Sequence, residues 1–203
     1  MKKKSFFISI EGLEGSGKSS VIKFIEKFLR KRKVSFKVYR EPGSTKIGEK
    51  IREILLDNKN KKLSPHTELL LYLAARTQLI EEKLKEDFKK YEFIICDRFF
   101  DSTLAYQGFA LGLGKIVEES VKMFSLGVVP NLTLVLDVSP ELGLSRLKSK
   151  DRIESRALSF HNRLRKGYLA LGKKYPRRIK IIDASDSLTE IYQRVQKQLE
   201  RVL

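Results

Sequence analysis

Eight residues near the N-terminus restrict this chain more than any others. They read Gly12-Leu13-Glu14-Gly15-Ser16-Gly17-Lys18-Ser19, the pattern G-x-x-x-x-G-K-[ST]. The apolar run Phe6-Phe7-Ile8-Ser9-Ile10 precedes them and a helix-like stretch, Ser20-Val21-Ile22-Lys23-Phe24-Ile25, follows. Strand, glycine-rich loop and helix in that order make a P-loop. The glycines let the backbone curl until its N–H groups face one point at a helix N-terminus, where partial positive charge favours phosphate. Lys18 can reach the outer phosphates and Ser19 can ligate Mg²⁺. A bound nucleoside triphosphate, ATP in the simplest case, is the expectation.

A P-loop needs a parallel sheet behind it, and the chain supplies one. Strand-like apolar runs occupy residues 6–11, 34–40, 93–97, 132–137 and 179–183, with helical patterns between them. Such alternation predicts an α/β fold of three layers, with a five-stranded parallel sheet flanked by helices. Ser64-Pro65 predicts an N-cap and first helical position for a helix running to about Lys90. Ser139-Pro140-Glu141 repeats the device, and Ser187-Leu188-Thr189-Glu190 predicts a capping box. Further helices are expected over 45–57 and 113–126. No linker or repeat interrupts the pattern, so residues 1–203 read as one domain.

Charge narrows the partners. The net charge of +17 admits nucleic acid, an anionic membrane or small anionic substrates. Basic clusters at 2–4, 30–33 and 59–62 read as solvated faces, whereas the cluster at 146–165 reads as functional. No stretch approaches the roughly 20 apolar residues of a membrane span. Met1-Lys2-Lys3-Lys4 looks like a signal-peptide start, but the apolar run after it is short and ends at Glu11. The lone cysteine, Cys96, excludes an internal disulfide and suits a cytoplasmic protein.

Ligands of open parallel sheets gather at the C-terminal ends of the strands. After the second run comes Arg40-Glu41-Pro42-Gly43, and after the third Asp97-Arg98-Phe99. Asp97 suits a Walker-B-type carboxylate that reaches Mg²⁺ directly or through water. Arg98 suits the grip on a second phosphate. Two anion sites imply a triphosphate donor and a phosphorylated acceptor. A phosphate monoester is already ionised, so transfer needs alignment and charge neutralisation rather than a strong base. The two histidines, His66 and His161, fall in predicted helices and read as surface or packing residues. Arginines between 146 and 165, Arg152 first and Arg156 second, are candidates to close over ATP in a mobile lid around 146–157. Arg163 and Arg165 read as a solvated helix face.

The chain closely resembles the thymidylate kinases. The carrying stretches are the P-loop with Glu11, Arg40-Glu41-Pro42-Gly43, Arg76-Thr77-Gln78, Asp97-Arg98-Phe99, Asp101 through Gly108, Leu136-Asp137-Val138 and Asp151-Arg152-Ile153-Glu154. The resemblance implies transfer of the γ-phosphoryl of Mg-ATP to dTMP, and a homodimer. It also implies roles. Arg98 holds the dTMP phosphate; Tyr72 and Arg76, four apart on one helix face, meet the thymine; Ser102 and Thr103 hydrogen-bond the base. Tyr106 packs on the deoxyribose, Gln107 lies close by, and Glu14 approaches the sugar 3′-OH or the metal shell. Arg40, Glu41 and Pro42 complete the acceptor side. The P-loop has no arginine at Leu13, Glu14, Gly15 or Ser16, which implies the type of member that carries the arginine in its lid. Three positions depart from the family pattern: Ser44 for a second glycine, Phe99 for tyrosine and Ala75 for aspartate, the last bearing on how Arg76 is oriented.

Two other readings compete. A deoxynucleoside kinase would phosphorylate a neutral hydroxyl and would use Glu41 as base. A nucleic-acid-dependent P-loop ATPase would suit the charge, but the chain lacks an Asp-Glu Walker B pair, an Asn-Lys-x-Asp motif and an aromatic-rich basic platform.

Overall fold

A computed structural model describes residues 5–203; the basic start, Met1-Lys2-Lys3-Lys4, lies outside the described residues. Strand β1 (Phe6–Gly12) runs into the P-loop and helix α1 (Lys18–Lys31). Then come β2 (Phe36–Arg40), α2 (Lys46–Leu56) and α3 (Pro65–Leu79). A π-helical segment, Ile80–Leu84, joins α3 to the short α4 (Lys85–Asp87). Strand β3 (Phe93–Asp97) follows, then α5 (Phe100–Thr103), a second π-helical segment (Leu104–Ala110) and α6 (Lys115–Phe124). The chain ends with β4 (Leu132–Asp137), α7 (Pro140–Ser145), α8 (Leu158–Lys174), β5 (Ile179–Asp183) and α9 (Leu188–Leu199).

All five strands pair in parallel in the order β2-β3-β1-β4-β5. Alternation along β1 divides the core in two. Ile8 and Ile10 pack with α1 and α9 residues such as Ile25, Leu29 and Val195. Phe7 packs on the other face with residues of α3, α6 and α8, among them Leu73, Val117 and Leu164. Ser9 and Glu11 share the parity of Phe7 and bring polar groups into that second layer, fully buried.

The caps at Ser64, Ser139 and Ser187 form as the sequence predicts, the last as a complete capping box. Three boundaries differ. The long helix after Ser64 is interrupted by π-helical turns, β2 begins at Phe36 because Lys33 turns the chain at φ 57°, and α6 starts only after Gly112 and Gly114, both at positive φ. Register sets Arg40 beside Asp97 and Asp97 beside Ile10, so the ends of β1, β2 and β3 open into one cleft.

Candidate active site

The P-loop is built on close approach. Gly12 and Gly15 adopt φ of 135° and 69°. A Cβ on Gly15 would lie 1.9 Å from the carbonyl oxygen of Gly143 in α7, so only glycine lets the loop rest there. Leu13 and Ser16 point inward, Gly17 caps α1, and Glu14, Gly15, Lys18 and Ser19 face a cleft of about 280 Å³. Lys18 Nζ donates to the carbonyls of Gly12 (3.2 Å) and Leu13 (2.7 Å). Burial, aided by Arg98, pushes Lys18 down to about 8 against the pull of Glu14 and Asp97.

Across the cleft stands Arg98. Its backbone holds φ at 69°, a left-handed conformation costly for a side-chain-bearing residue, and its N–H donates to Ile10 O at 3.0 Å. Nη1 donates to Gly12 O, Ser102 Oγ and Tyr168 Oη at 3.0, 3.2 and 3.2 Å. Nη2 pairs with Glu14 Oε1 at 3.0 Å, and Tyr106 donates its hydroxyl to that same oxygen. Burial opposes the charged form of Glu14, but Arg98 and Lys18 outweigh it and hold the carboxyl below its usual range. Glu14 therefore answers to two cations, Lys18 of the P-loop and Arg98 at the end of β3.

Beneath them Glu11 accepts from Ser9 Oγ (2.6 Å), Phe99 N (2.7 Å), Ser102 Oγ (2.5 Å) and Tyr168 Oη (3.1 Å). Burial, with Asp101 nearby, raises Glu11 above the carboxylate range. Glu11 and Tyr168 set the turn that carries Arg98, a role sequence reasoning missed. A tyrosine on the buried stripe Phe160, Leu164, Tyr168, Leu171 of α8 reads from spacing as core. Asp101 is likewise structural: both its oxygens take Arg178, at 2.5 and 2.8 Å.

The expected acceptor residues other than Arg76 converge. Arg40, Glu41 and Pro42 border the cleft from β2, Tyr72 from α3, and Asp97, Ser102, Thr103, Tyr106 and Gln107 from β3 and the helical turns beyond it. Tyr106 and Gln107 sit in π-helical backbone, whose wider turn alters the direction of successive side chains. Arg40 is paired with Glu49 of α2. Arg52, Asp151, Ile153 and Glu154 also line the cleft. Of these, sequence reasoning overlooked Arg52 and gave the other three no individual role.

Arg76 does not line the cleft. It is buried, with Nε on Glu41 Oε2 (2.8 Å) and Nη2 on Thr103 Oγ1 (2.9 Å), while Nη1 has no partner among the described residues. Burial pushes Glu41 up to about 7, against the charge of Arg76. Ala75 is buried and gives Arg76 no carboxylate partner. Arg152 and Arg156 also lie off the cleft wall. Both donate to Glu68 Oε2, at 2.7 and 2.5 Å, and Arg152 donates further to Leu55 O (2.7 Å). Arg163 is exposed and Arg165 partly exposed, as expected for the outer face of α8, and from there they hold Ala110 O and Asp137. His66 is exposed and His161 is buried on α8.

Mg²⁺ commonly takes one or two protein oxygens and fills its shell with water and phosphate. Ser19 and Asp97 border the same cleft and offer one hydroxyl and one carboxylate, a donor set that fits. No cluster of three His, Cys, Asp or Glu residues suited to a metal occurs among the described residues. No helix among them is long and apolar enough to cross a membrane.

A P-loop at the end of the central strand, opening into a cleft that Arg98 faces from the end of β3, defines the class of P-loop kinases. The family model for thymidylate kinase matches residues 10–195. The thymidylate kinase of Thermoanaerobacter sp. (strain X514) is 43% identical over 195 residues, covering 93% of this chain and 94% of the relative. That of Clostridium novyi (strain NT) is 41% identical over 198 residues, covering 95% and 97%. The crystal structure of thymidylate kinase from Ehrlichia chaffeensis superposes with a TM-score of 0.80 at 28% identity, covering 97% of this chain and 99% of that one. The chain belongs to the thymidylate kinase family.

Proposed function

We propose that the cleft phosphorylates dTMP to dTDP with Lys18 on the donor side and Arg98 on the acceptor side. The chain is a dTMP kinase using ATP and Mg²⁺. The observation that carries the division of labour is Glu14, paired with Arg98 at 3.0 Å and held ionised by Arg98 and Lys18 together. Lys18 exchanges its carbonyl partners for the outer phosphates of ATP. The loop N–H groups hold the rest of the triphosphate. Arg98, with Arg52 beside it on the cleft wall, holds the dTMP phosphate in line. Ser19 and Asp97 would hold Mg²⁺, which supplies charge neutralisation at the phosphate oxygens.

On the nucleoside side, Tyr72 faces the base and Tyr106 the sugar. Ser102 and Thr103 lie at the base, with Gln107 close by. Arg76 supports the base side from behind the cleft wall, by holding Glu41 and Thr103, which both border the cleft. Residues 146–157 act as the lid. Arg152 anchors it to α2 and α3, and Arg156, whose Nη1 has no partner among the described residues, neutralises charge during transfer. The deoxynucleoside kinase reading is disfavoured because the chain belongs to the thymidylate kinase family over nearly its whole length.

A homodimer is supported by exposed apolar side chains on neighbouring helices: Ile47 and Ile54 on α2, Leu70 on α3, Met123 and Phe124 on α6. The buried lone thiol of Cys96 fits a cytoplasmic location. A coupled assay of ADP release tests the reading: dTMP is turned over and thymidine is not. Turnover of thymidine without turnover of dTMP would overturn it.

A further inference from the structure

Glu68 is a fully buried carboxylate on α3, one turn before Tyr72, and the phosphoryl transfer described above makes no use of it. Its Oε2 collects Arg152 and Arg156. Its Oε1 accepts from Gln107 Nε2 at 2.9 Å. Gln107 borders the cleft, and its Oε1 has no protein partner among the described residues. A carboxylate only accepts hydrogen bonds, so the NH₂ of the Gln107 amide must face Glu68 and the carbonyl oxygen is left for the ligand. An amide without such a neighbour turns over and offers its donor instead.

We infer that Glu68 is a positioning residue for base specificity: it locks the Gln107 amide with its acceptor toward the cleft and so selects a pyrimidine that carries a proton on N3. Thymine and uracil carry that proton. Cytosine presents a bare N3 acceptor at the same place, and two acceptors face to face repel and leave both desolvated groups unpaired. The two arginines on Oε2 keep Glu68 from swinging away, so the lid segment and the base site share one anchor. The inference rests on dTMP as acceptor, and its test separates the two.

The experiment is the ratio of kcat/KM values for dTMP, dUMP and dCMP in the parent and in Glu68→Gln. A glutamine at 68 can donate or accept, so the Gln107 amide is free to turn. The expected result is a fall of at least about ten-fold in dTMP preference over dCMP, with the dTMP-to-dUMP ratio unchanged. A loss of packing alone would lower all three substrates together. An unchanged dTMP-to-dCMP ratio, or an equal fall in the dTMP-to-dUMP ratio, would overturn the assignment. If Glu68→Gln does not yield folded protein, Glu68→Asp replaces it. Aspartate keeps the charge for the arginines but shortens the reach to Gln107, and the same pair of ratios decides. Absence of dTMP turnover in the parent would instead count against the acceptor itself.

Discussion

Lys18 and Arg98 carry like charges into one cleft, and Glu14 between them makes that arrangement tolerable. Lys18 is the more sensitive, because burial brings its pKa to about 8. In the free protein its charge is lost as pH rises through about 8, so kcat/KM for ATP should fall along a limb with that midpoint. The same burial costs stability at neutral pH. Between about 8 and about 10.4 the unfolded chain binds the proton that the folded chain has shed, so this contribution becomes less unfavourable as pH rises. A pH series of steady-state rates checks the first statement; a flat profile from pH 7 to 9.5 would contradict it. Arg98→Ala removes the acceptor clamp and strands the Glu14 carboxylate. It should raise KM for dTMP far more than for ATP and lower kcat/KM for dTMP by about two to three orders of magnitude. Equal effects on both substrates would speak against a separate acceptor-phosphate site.

At the scale of elements, local signals account for most of what formed. Serine-proline pairs, a capping box and a glycine loop are short-range devices whose hydrogen bonds close within three or four residues, and each formed where it was expected. Ser187→Ala tests one of them. It removes the box that starts α9, costs about 1 kcal/mol and lowers the melting temperature by about 2–4 °C with dTMP kinase activity intact. Calorimetry with a parallel assay checks this. The π-helical turns were not legible, because an i→i+5 bond carries no pattern distinct from an ordinary amphipathic helix. Tyr106 and Gln107 reach the cleft from the second of these segments. Glu68 did leave a trace. It shares a helix face with Tyr72 and Arg76 by fours, and a charged residue on a buried face needs a partner.

For the whole molecule, the dimer is the open consequence of the surface. Leu70 and Met123 are 61% and 68% exposed on adjoining helices, away from the catalytic cleft. Leu70→Glu should convert a dimer into a monomer on size exclusion with light scattering while the far-ultraviolet circular dichroism stays unchanged. A parent that already runs as a monomer would refute the interface. The +17 charge is spread over the molecule rather than gathered into the active site. There, Glu11, Glu14, Glu41 and Asp97 stand among the cations.

The sequence alone determined the parallel sheet, the P-loop and the strand-end residues Arg40, Glu41, Asp97 and Arg98. Alternating apolar runs and glycine spacing are local, and chain connectivity then brings strand ends together. Only the tertiary structure decided the partners of the buried charges: Arg76 on Glu41, Arg152 and Arg156 on Glu68, and Tyr168 beneath Arg98. Those pairings join residues 35 to 88 positions apart. A buried charge takes the partner that packing sets beside it, and spacing along the chain carries no record of that choice.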